Sequence, residues 1–515
     1  MKKTVTALTC LMLLCVSSLS AQNAKGTVYH DRNANGVRDA GEQGIPSVGV
    51  SNGHDVVMTD NQGRYELTVN DDTIIFVIKP AGYRVPVDDN NLRKFYYIHK
   101  PSGSPELEYA GSGPTGPLPE SVDFPLLPGN DSDDFSIIVF GDTQVYSIIE
   151  VDYLGRDLVA ELIGVQGYEF GITLGDNVGD DLDLHGPVSN MIGRIGIPWH
   201  YVMGNHDENY DATTDVYADE RFEATFGPAT YSFNYGSVHF IVFDDILYPD
   251  PRDGEGYWGG LRDDQLTFVE NDLKHVPKDH LIVCAMHIPM LSGNSFNGDV
   301  YERLITLLKP FPNTFSMSAH THTQRHHFHE DSGWEHHHYV VGTACGDWWS
   351  GILDEHGIPD TMMRDGTPNG YARITFKGSE YTIDYKVARS PDSYRMNIYA
   401  PLTAPRNQSF SGELYVNFFN GSERAKVEFR IDDGSWREMR KTVEHDPIYV
   451  RSLQTWDSRP GILPGERPSN PVDCTHLWKA QMPIRLSSGA HVIEVRVTDM
   501  FGRTFRDFIT YRVVG

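Results

Sequence analysis

Between residues 135 and 324 the chain repeatedly runs through a short, unbroken apolar stretch and then stops on an Asp, Asn or His. Phe135–Phe140, Phe170–Leu174, His239–Phe243 and Leu281–Met286 are continuous rather than alternating, as expected of strands covered on both faces. Helical spacing fills the intervals. Ile148, Ile149, Val151, Leu154, Leu158, Val159 and Leu162 fit one helix face, and Gln265 to His275 is a second candidate helix. This alternation predicts an α/β domain over about residues 135–390, in which ligands gather beyond the carboxyl ends of the strands.

The polar motifs fall at those ends. Gly141-Asp142-Thr143-Gln144 follows the first run, and Gly175-Asp176-Asn177-Val178-Gly179-Asp180 follows the second. Gly204-Asn205-His206-Asp207 follows Trp199–Met203, His287 closes Leu281–Met286, and Ala319-His320-Thr321-His322 follows Thr314–Ser318. Two divalent cations about 3.5–4 Å apart can clamp a phosphate and turn a bridging water into hydroxide. Such a pair needs a bridging carboxylate, with imidazoles and oxygen donors completing each shell. Asp176 is the candidate bridge. Asp142, Gln144 and His322 complete one site, and Asn205, His287 and His320 the other. His206 stands beside the ligands as a general acid for the leaving oxygen. Asp180 and Asp207 both qualify as the acid that orients it.

The order Asp-x-Gln, Gly-Asp, Gly-Asn-His-Asp, His and His-x-His resembles that of the calcineurin-like metallophosphoesterases, over roughly 250 residues. The flanking organisation is similar to a bacterial subgroup with N- and C-terminal β domains. The resemblance implies a four-layer α/β/β/α sandwich, two divalent ions (Mn, Fe, Zn or Mg) and hydrolysis of phosphomonoesters, phosphodiesters or related anhydrides. Two departures stand out. Gln144, whose carbonyl is a weaker, neutral donor, takes a place usually held by histidine, and Ala319 precedes His320 where glycine is common.

Residues 22–100 read as a small β domain with short strands and Asn-Gly turn signals. Within it Asp31, Asn33, Asn35, Val37 (through its carbonyl), Asp39 and Glu42 take the ligand positions of a twelve-residue Ca²⁺ loop, with Gly36 at position 6. An Asx-rich turn is the competing reading. Residues 101–134, crowded with Pro, Gly, Ser and acids, are expected to be an extended, solvated linker. Residues 395–515 read as a second all-β, immunoglobulin-like sandwich.

Four further features bear on the site. The six histidines His326, His327, His329, His336, His337 and His338 are expected on a solvated hairpin. Trp348 and Trp349 form either a cleft wall for an organic leaving group or part of the core. Asp365 to Tyr371 is a second cleft loop or a surface turn. Cys284, Cys345 and Cys474 are too scattered for a disulfide framework.

A formal charge of −28 argues against general nucleic-acid or anionic-membrane binding. The basic Lys2-Lys3, the apolar Val5 to Val16 and Leu19-Ser20-Ala21 predict a signal peptide over residues 1–21, cleaved before Gln22. The expected location is therefore the periplasm, the cell envelope or the medium, with no later membrane span. The leading expectation is an exported phosphoesterase acting on a phosphorylated small-molecule or envelope substrate. A phosphodiesterase or nuclease of the same fold is the alternative, and a non-catalytic cell-surface binding protein the reading from another class.

Overall fold

The computed structural model describes residues 22–515 apart from 292, 294, 407–411, 460, 462, 484 and 485. The signal peptide expected over residues 1–21 lies outside the described residues. Among the described residues no helix is long and apolar enough to cross a membrane.

The apolar runs form the centres of two sheets. In the first, Asp134–Phe140 pairs in parallel with Phe170–Leu174, which pairs in parallel with Trp199–Val202. On its other side lies the antiparallel hairpin Gly370–Lys377 and Glu380–Val387. The second sheet runs in the order Tyr231–Tyr235, Val238–Val242, Leu281–Ala285, Asn313–Ser318, Trp334–Val340, Arg325–Asp331. Strand Asp134–Phe140 explains why such runs do not alternate. Ile137 and Val139 face a core shared with the second sheet, including Phe240 and Val283. Ile138 and Phe140 face a separate core with Leu154, Leu158, Val188 and Ile192. Both faces are buried, so both need apolar side chains.

The first expected helix is present as an α-helix Ile148–Leu154, a π-helical turn Gly155–Val159 and a short α-helix Ala160–Leu162. Val151, Leu154, Leu158, Val159 and Leu162 are buried, but Ile148 and Ile149 are 59% and 58% exposed. Those two occupy the first turn, ahead of the contact with helix His185–Gly193, and do not belong to the buried face. The second expected helix is Asp263–Leu273.

The N-terminal region is a two-sheet β unit. One sheet orders Arg64–Val69, Gln22–His30, Phe124–Pro128, Tyr83–Arg84; the other orders Val56–Met58, Gly49–Ser51, Thr73–Ile78, Tyr96–His99. Arg64–Val69 alternates exposed and buried residues, whereas all six residues of Thr73–Ile78 are buried. The second strand has a neighbour on each face. Phe76 meets Phe268 of helix Asp263–Leu273 edge-on, with ring centres 5.6 Å apart.

The expected linker is corrected in two ways. Phe124–Pro128 is an interior strand of the N-terminal unit, parallel to Gln22–His30. The stretch before it is fastened down: Glu108 N–H donates to Asp211 and the Tyr109 carbonyl accepts from Asn209. Pro and Gly removed the periodic signal there without making the chain free.

The C-terminal region is β-rich, with Met396–Tyr399, Glu413–Phe418, Asp473–Gln481 and Arg440–His445 in one sheet. A second sheet holds Thr403–Pro405, Thr504–Val514, Gly489–Thr498, Lys426–Ile431 and Arg437–Glu438. It is not all-β. Helix Pro447–Ser458 interrupts it, with Asp446 capping Ile448 and Tyr449 N–H at 2.8 Å each and Pro447 in the first turn. That Asp-Pro start is a readable helix signal.

Candidate metal centre

Four of the seven expected ligands, and the acid beside His206, sit on strained turns. Gln144, Asp176, Asp180, His320 and His322 all have positive φ, between 31° and 72°. Non-glycine residues rarely adopt such values, and a group of them marks a place where surroundings override local preference. The flanking glycines are required by close approach. A Cβ on Gly175 would stand 2.5 Å from His287 Nδ1, and one on Gly204 would stand 2.1 Å from the Asp176 nitrogen.

The turns bring the two sheets' motifs together. His287 Nε2 lies 3.2 Å from Asp176 Oδ1, 3.2 Å from Asn205 Oδ1 and 3.1 Å from His320 Nδ1. One ligand atom each from Asp176, His287 and His320 fits within 4.8 Å. Beside them His322 Nε2 lies 3.0 Å from Asp142 Oδ2, while His320 N–H donates to Asp142 Oδ1. Gln144 N–H donates to the Asp176 carbonyl, and its side-chain oxygen is buried with no hydrogen-bond partner.

The tautomers are set from behind. His287 Nδ1 sits 2.8 Å from the Leu174 carbonyl and His322 Nδ1 sits 2.7 Å from that of Gly346. A carbonyl only accepts, so both Nδ1 atoms carry hydrogen and each Nε2 points a lone pair inward when neutral. Charge is unbalanced without cations. Burial works to lower the His287 pKa, but Asp176 and Asp142 outweigh it and raise it to about 10. Burial also opposes ionised Asp176, yet His287 holds its carboxyl well below the usual range. Burial and the neighbouring His287 bring His320 down to about 4. Two carboxylates, three imidazoles and two amide oxygens, that of Gln144 without a partner, converge on a small space. That donor set fits divalent cations.

His206 stands at the solvent side, 26% exposed at its side chain, with Nδ1 2.6 Å from Asp180 Oδ1. Its own N–H donates to Asp176 Oδ1. Of the two candidate orienting acids only Asp180 reaches it. Asp207 is fully buried and turned away: it accepts from Gly204 N–H and Asn177, and faces His185 Nε2 at 2.9 Å. It holds the two motif turns together and does not meet the reacting space.

The tryptophans separate. Trp349 is 3% exposed and donates to the Thr143 carbonyl, so it is core. Trp348 lies against His322, ring centres 4.4 Å apart. Asp365 is neither on a surface turn nor in the cleft. It is buried, accepts from Gln324 N–H and faces His476 of the C-terminal region. The histidine hairpin is present as Arg325–Asp331 and Trp334–Val340 but is not solvated: His336, His337 and His338 are 2%, 5% and 2% exposed. Their nitrogens meet the hydroxyls of Thr314, Ser316, Ser318 and Tyr381, and His326.

In the Asp31–Glu42 loop the oxygens turn inward. Asp31 accepts from Asn35 and Gly36 N–H, Asn35 Oδ1 from Val37 N–H, and Glu42 from Arg32 and Asp39 N–H. The Asn33 and Asn35 amides donate to Asp39.

Sequence reading missed a tyrosine rim and a second buried acid. Tyr146 and Tyr210 are 41% and 40% exposed, and Tyr210 donates to the Asn205 carbonyl. The Tyr146 and Tyr257 rings stand edge-on to His206 and His320. Asp245 accepts from His287 and Ile288 N–H and fixes the end of that strand. Position just past a motif is the one signal available for Tyr146 and Tyr210.

Three family models match in chain order. The N terminal of calcineurin-like phosphoesterase matches residues 32–109, the calcineurin-like phosphoesterase itself residues 135–324, and its C terminal residues 338–505. The chain belongs to the calcineurin-like phosphoesterases, which are metal-dependent hydrolases, and carries both accessory regions. No curated protein matches it. Among solved structures, a purple acid phosphatase from yellow lupin seeds aligns at 12% identity and TM-score 0.35, covering 71% of this chain and 67% of that one. GAP50, the anchor in the inner membrane complex of Plasmodium, aligns at 16% identity and TM-score 0.28, covering 50% of this chain and 90% of that one.

Proposed function

We propose that this chain is an exported hydrolase of phosphate esters, preferring a substrate with a flat organic leaving group. The observation that carries the reading is the convergence of Asp142, Gln144, Asp176, Asn205, His287, His320 and His322 beneath the His206–Asp180 pair. Asp142, Gln144 and His322 would hold one divalent cation, Asn205, His287 and His320 another, with Asp176 between them. Bound there, the cations supply Lewis-acid polarisation of the phosphoryl group and make a water acidic enough to attack at neutral pH.

The remaining work belongs to the chain. His206 gives a proton from Nε2 to the leaving oxygen, while Asp180 holds Nδ1 and stabilises the charged ring. Tyr146, Tyr210, Tyr257 and Trp348 supply flat apolar surface for the leaving group. The helices over residues 148–162 and 185–193 on one sheet, and 263–273 and 298–308 on the other, suit the four-layer α/β/β/α arrangement. Ca²⁺ in the Asp31–Glu42 loop and export through residues 1–21 belong to the same proposal.

His206→Asn tests it. Metal content is expected to stay near that of the parent, with hydrolysis of an alkyl phosphate slowed roughly 10²–10⁴-fold. The loss should shrink for a nitrophenyl ester, whose leaving oxygen needs little protonation. Equal losses for both esters, or metal lost with the ring, would overturn the acid role.

A further inference from the structure

At the amino ends of the first sheet's strands, opposite the metal centre, the N-terminal unit and the catalytic domain enclose a cavity of about 560 Å³. Phe170 begins one parallel strand and His200 lies near the start of the next. Asp176 and Asn205 follow their other ends, so the cavity is separated from the candidate metal centre by about 20 Å of strand.

The cavity holds more donor capacity than its surroundings use. Arg93 lines it, with its guanidinium 5.4 Å and 5.6 Å from the Phe170 and Phe233 rings. Arg93 Nη1 is buried without a hydrogen-bond partner, and among the described residues no carboxylate is ion-paired with this arginine. His200, 4% exposed, also lines the cavity. Its Nδ1 meets the Tyr231 hydroxyl at 2.8 Å, while its Nε2 is buried and unpartnered. The other charged groups have polar partners. Lys79 donates to Asp131 and to the Asn234 carbonyl, Arg84 donates to the Pro128 carbonyl, and Glu169 lies against the Tyr235 hydroxyl. A partly buried guanidinium packed on rings, with one nitrogen sealed from solvent, is costly to keep charged. Burial accordingly brings Arg93 down from 12.5 to about 9. Folded proteins rarely leave such a group without a counter-ion, and here the space for one is already present.

We propose that this cavity binds a small organic carboxylate, its anionic head between Arg93 and His200 Nε2–H and its apolar body against Val85, Val87, Leu127 and Pro198. The Tyr231 hydroxyl then donates to His200 Nδ1, which puts the ring proton on Nε2. Such a site suits a monoanion, because Asp131 and Glu169 on the same wall oppose a dianion such as a phosphate monoester. The site does not depend on the phosphoesterase reading and would stand if that reading fell.

Benzoate is the probe, titrated calorimetrically into the metal-loaded full-length chain. Binding at a Kd of about 1 mM or tighter is expected, weakened at least about tenfold in Arg93→Met, with acetate weaker than benzoate for want of an apolar body. Benzoate held by the metals would appear equally in parent and variant and cancels in the comparison. Val87 is the antiparallel bridge partner of Arg93, so their side chains lie on one face with Cβ atoms about 5 Å apart. Val87→Glu therefore places a carboxylate beside the guanidinium and should both raise Tm and abolish benzoate binding. This variant decides the matter should Arg93→Met fold poorly. Absence of saturable benzoate binding to the parent, unchanged affinity in Arg93→Met, equal binding of acetate, or retained affinity in Val87→Glu would each overturn the proposal.

Discussion

Two groups of histidines lie in the same domain and differ in what stands behind each ring. At the candidate metal centre, backbone carbonyls of Leu174 and Gly346 take the Nδ1–H of His287 and His322, so the inward nitrogens of the neutral rings face acceptors that cannot satisfy them. In the hairpin, His336 and His338 meet hydroxyls with both nitrogens: Thr314 and Ser316 for one, Ser316 and Ser318 for the other. A hydroxyl can donate or accept, so those rings are satisfied as neutral groups. Histidine density alone does not locate a metal. The partner of the second nitrogen does.

The largest effect should come from exchanging like for like across the two groups. His287→Gln is expected to lower metal content and cut turnover by more than about 100-fold, while His336→Gln leaves both near parental values. Elemental analysis with steady-state kinetics reads the pair. Similar metal loss in both variants would break the distinction.

Acid should separate them next. Burial pushes His336 down to about 3 and His337 and His338 well below 6.5. Folded pKa values below the unfolded one mean that the unfolded chain binds protons first as pH falls through 6.5. Stability present above 6.5 is therefore lost toward pH 3, by about 2 kcal/mol at pH 5 for His336. Asp219 and Asp244 act oppositely, since burial raises them to about 8 and 7, so the difference between parent and variant is the clean reading. Urea midpoints at pH 7 and pH 5 should show a loss smaller by about 2 kcal/mol in His336→Gln.

A smaller effect follows from Ser316→Ala, which strands His336 Nε2 and His338 Nδ1 together. A destabilisation of about 1–3 kcal/mol with unchanged metal content is expected. A neutral result would mean that the rings find other partners. The Asp31–Glu42 loop tests how far the comparison extends, because a carboxylate oxygen that accepts one N–H retains capacity for a cation. Calcium at a hundredfold excess over its Kd would stabilise the chain by about 2.7 kcal/mol. No change in Tm between calcium and chelator would place this loop with the hairpin.

The gathering of the motif residues was legible because two-metal chemistry demands particular residue types at strand ends, and strand ends can be read from apolar runs. The choice between Asp180 and Asp207 was not legible. Both lie next to motif residues, and only the left-handed turn at Asp180 decides which carboxylate meets His206. The hairpin was misjudged because a dense run of polar residues usually marks a wet surface, whereas this sheet offers hydroxyls on its neighbouring strands. The linker failed for a related reason: loss of periodicity reports an absence of regular structure, and Tyr109 and Phe124 are held by contacts that periodicity does not record.

The pairing of Gly370–Lys377 with Asp134–Phe140 reaches further than its place in the sheet suggests. The catalytic family segment ends at residue 324, so this strand arrives from the C-terminal segment. Within that C-terminal segment Gly351–Ile352, just past Trp348, pairs with Gly465–Glu466. Buried His476 reaches Asp365, which accepts from Gln324 N–H two residues beyond His322. Segments that look separable on a domain map are thus interleaved like the fingers of two hands. A fragment cut at residue 324 would leave the middle strand of its sheet with a bare edge, and transplanting the central segment alone into another protein would carry the ligands without the frame that aims them.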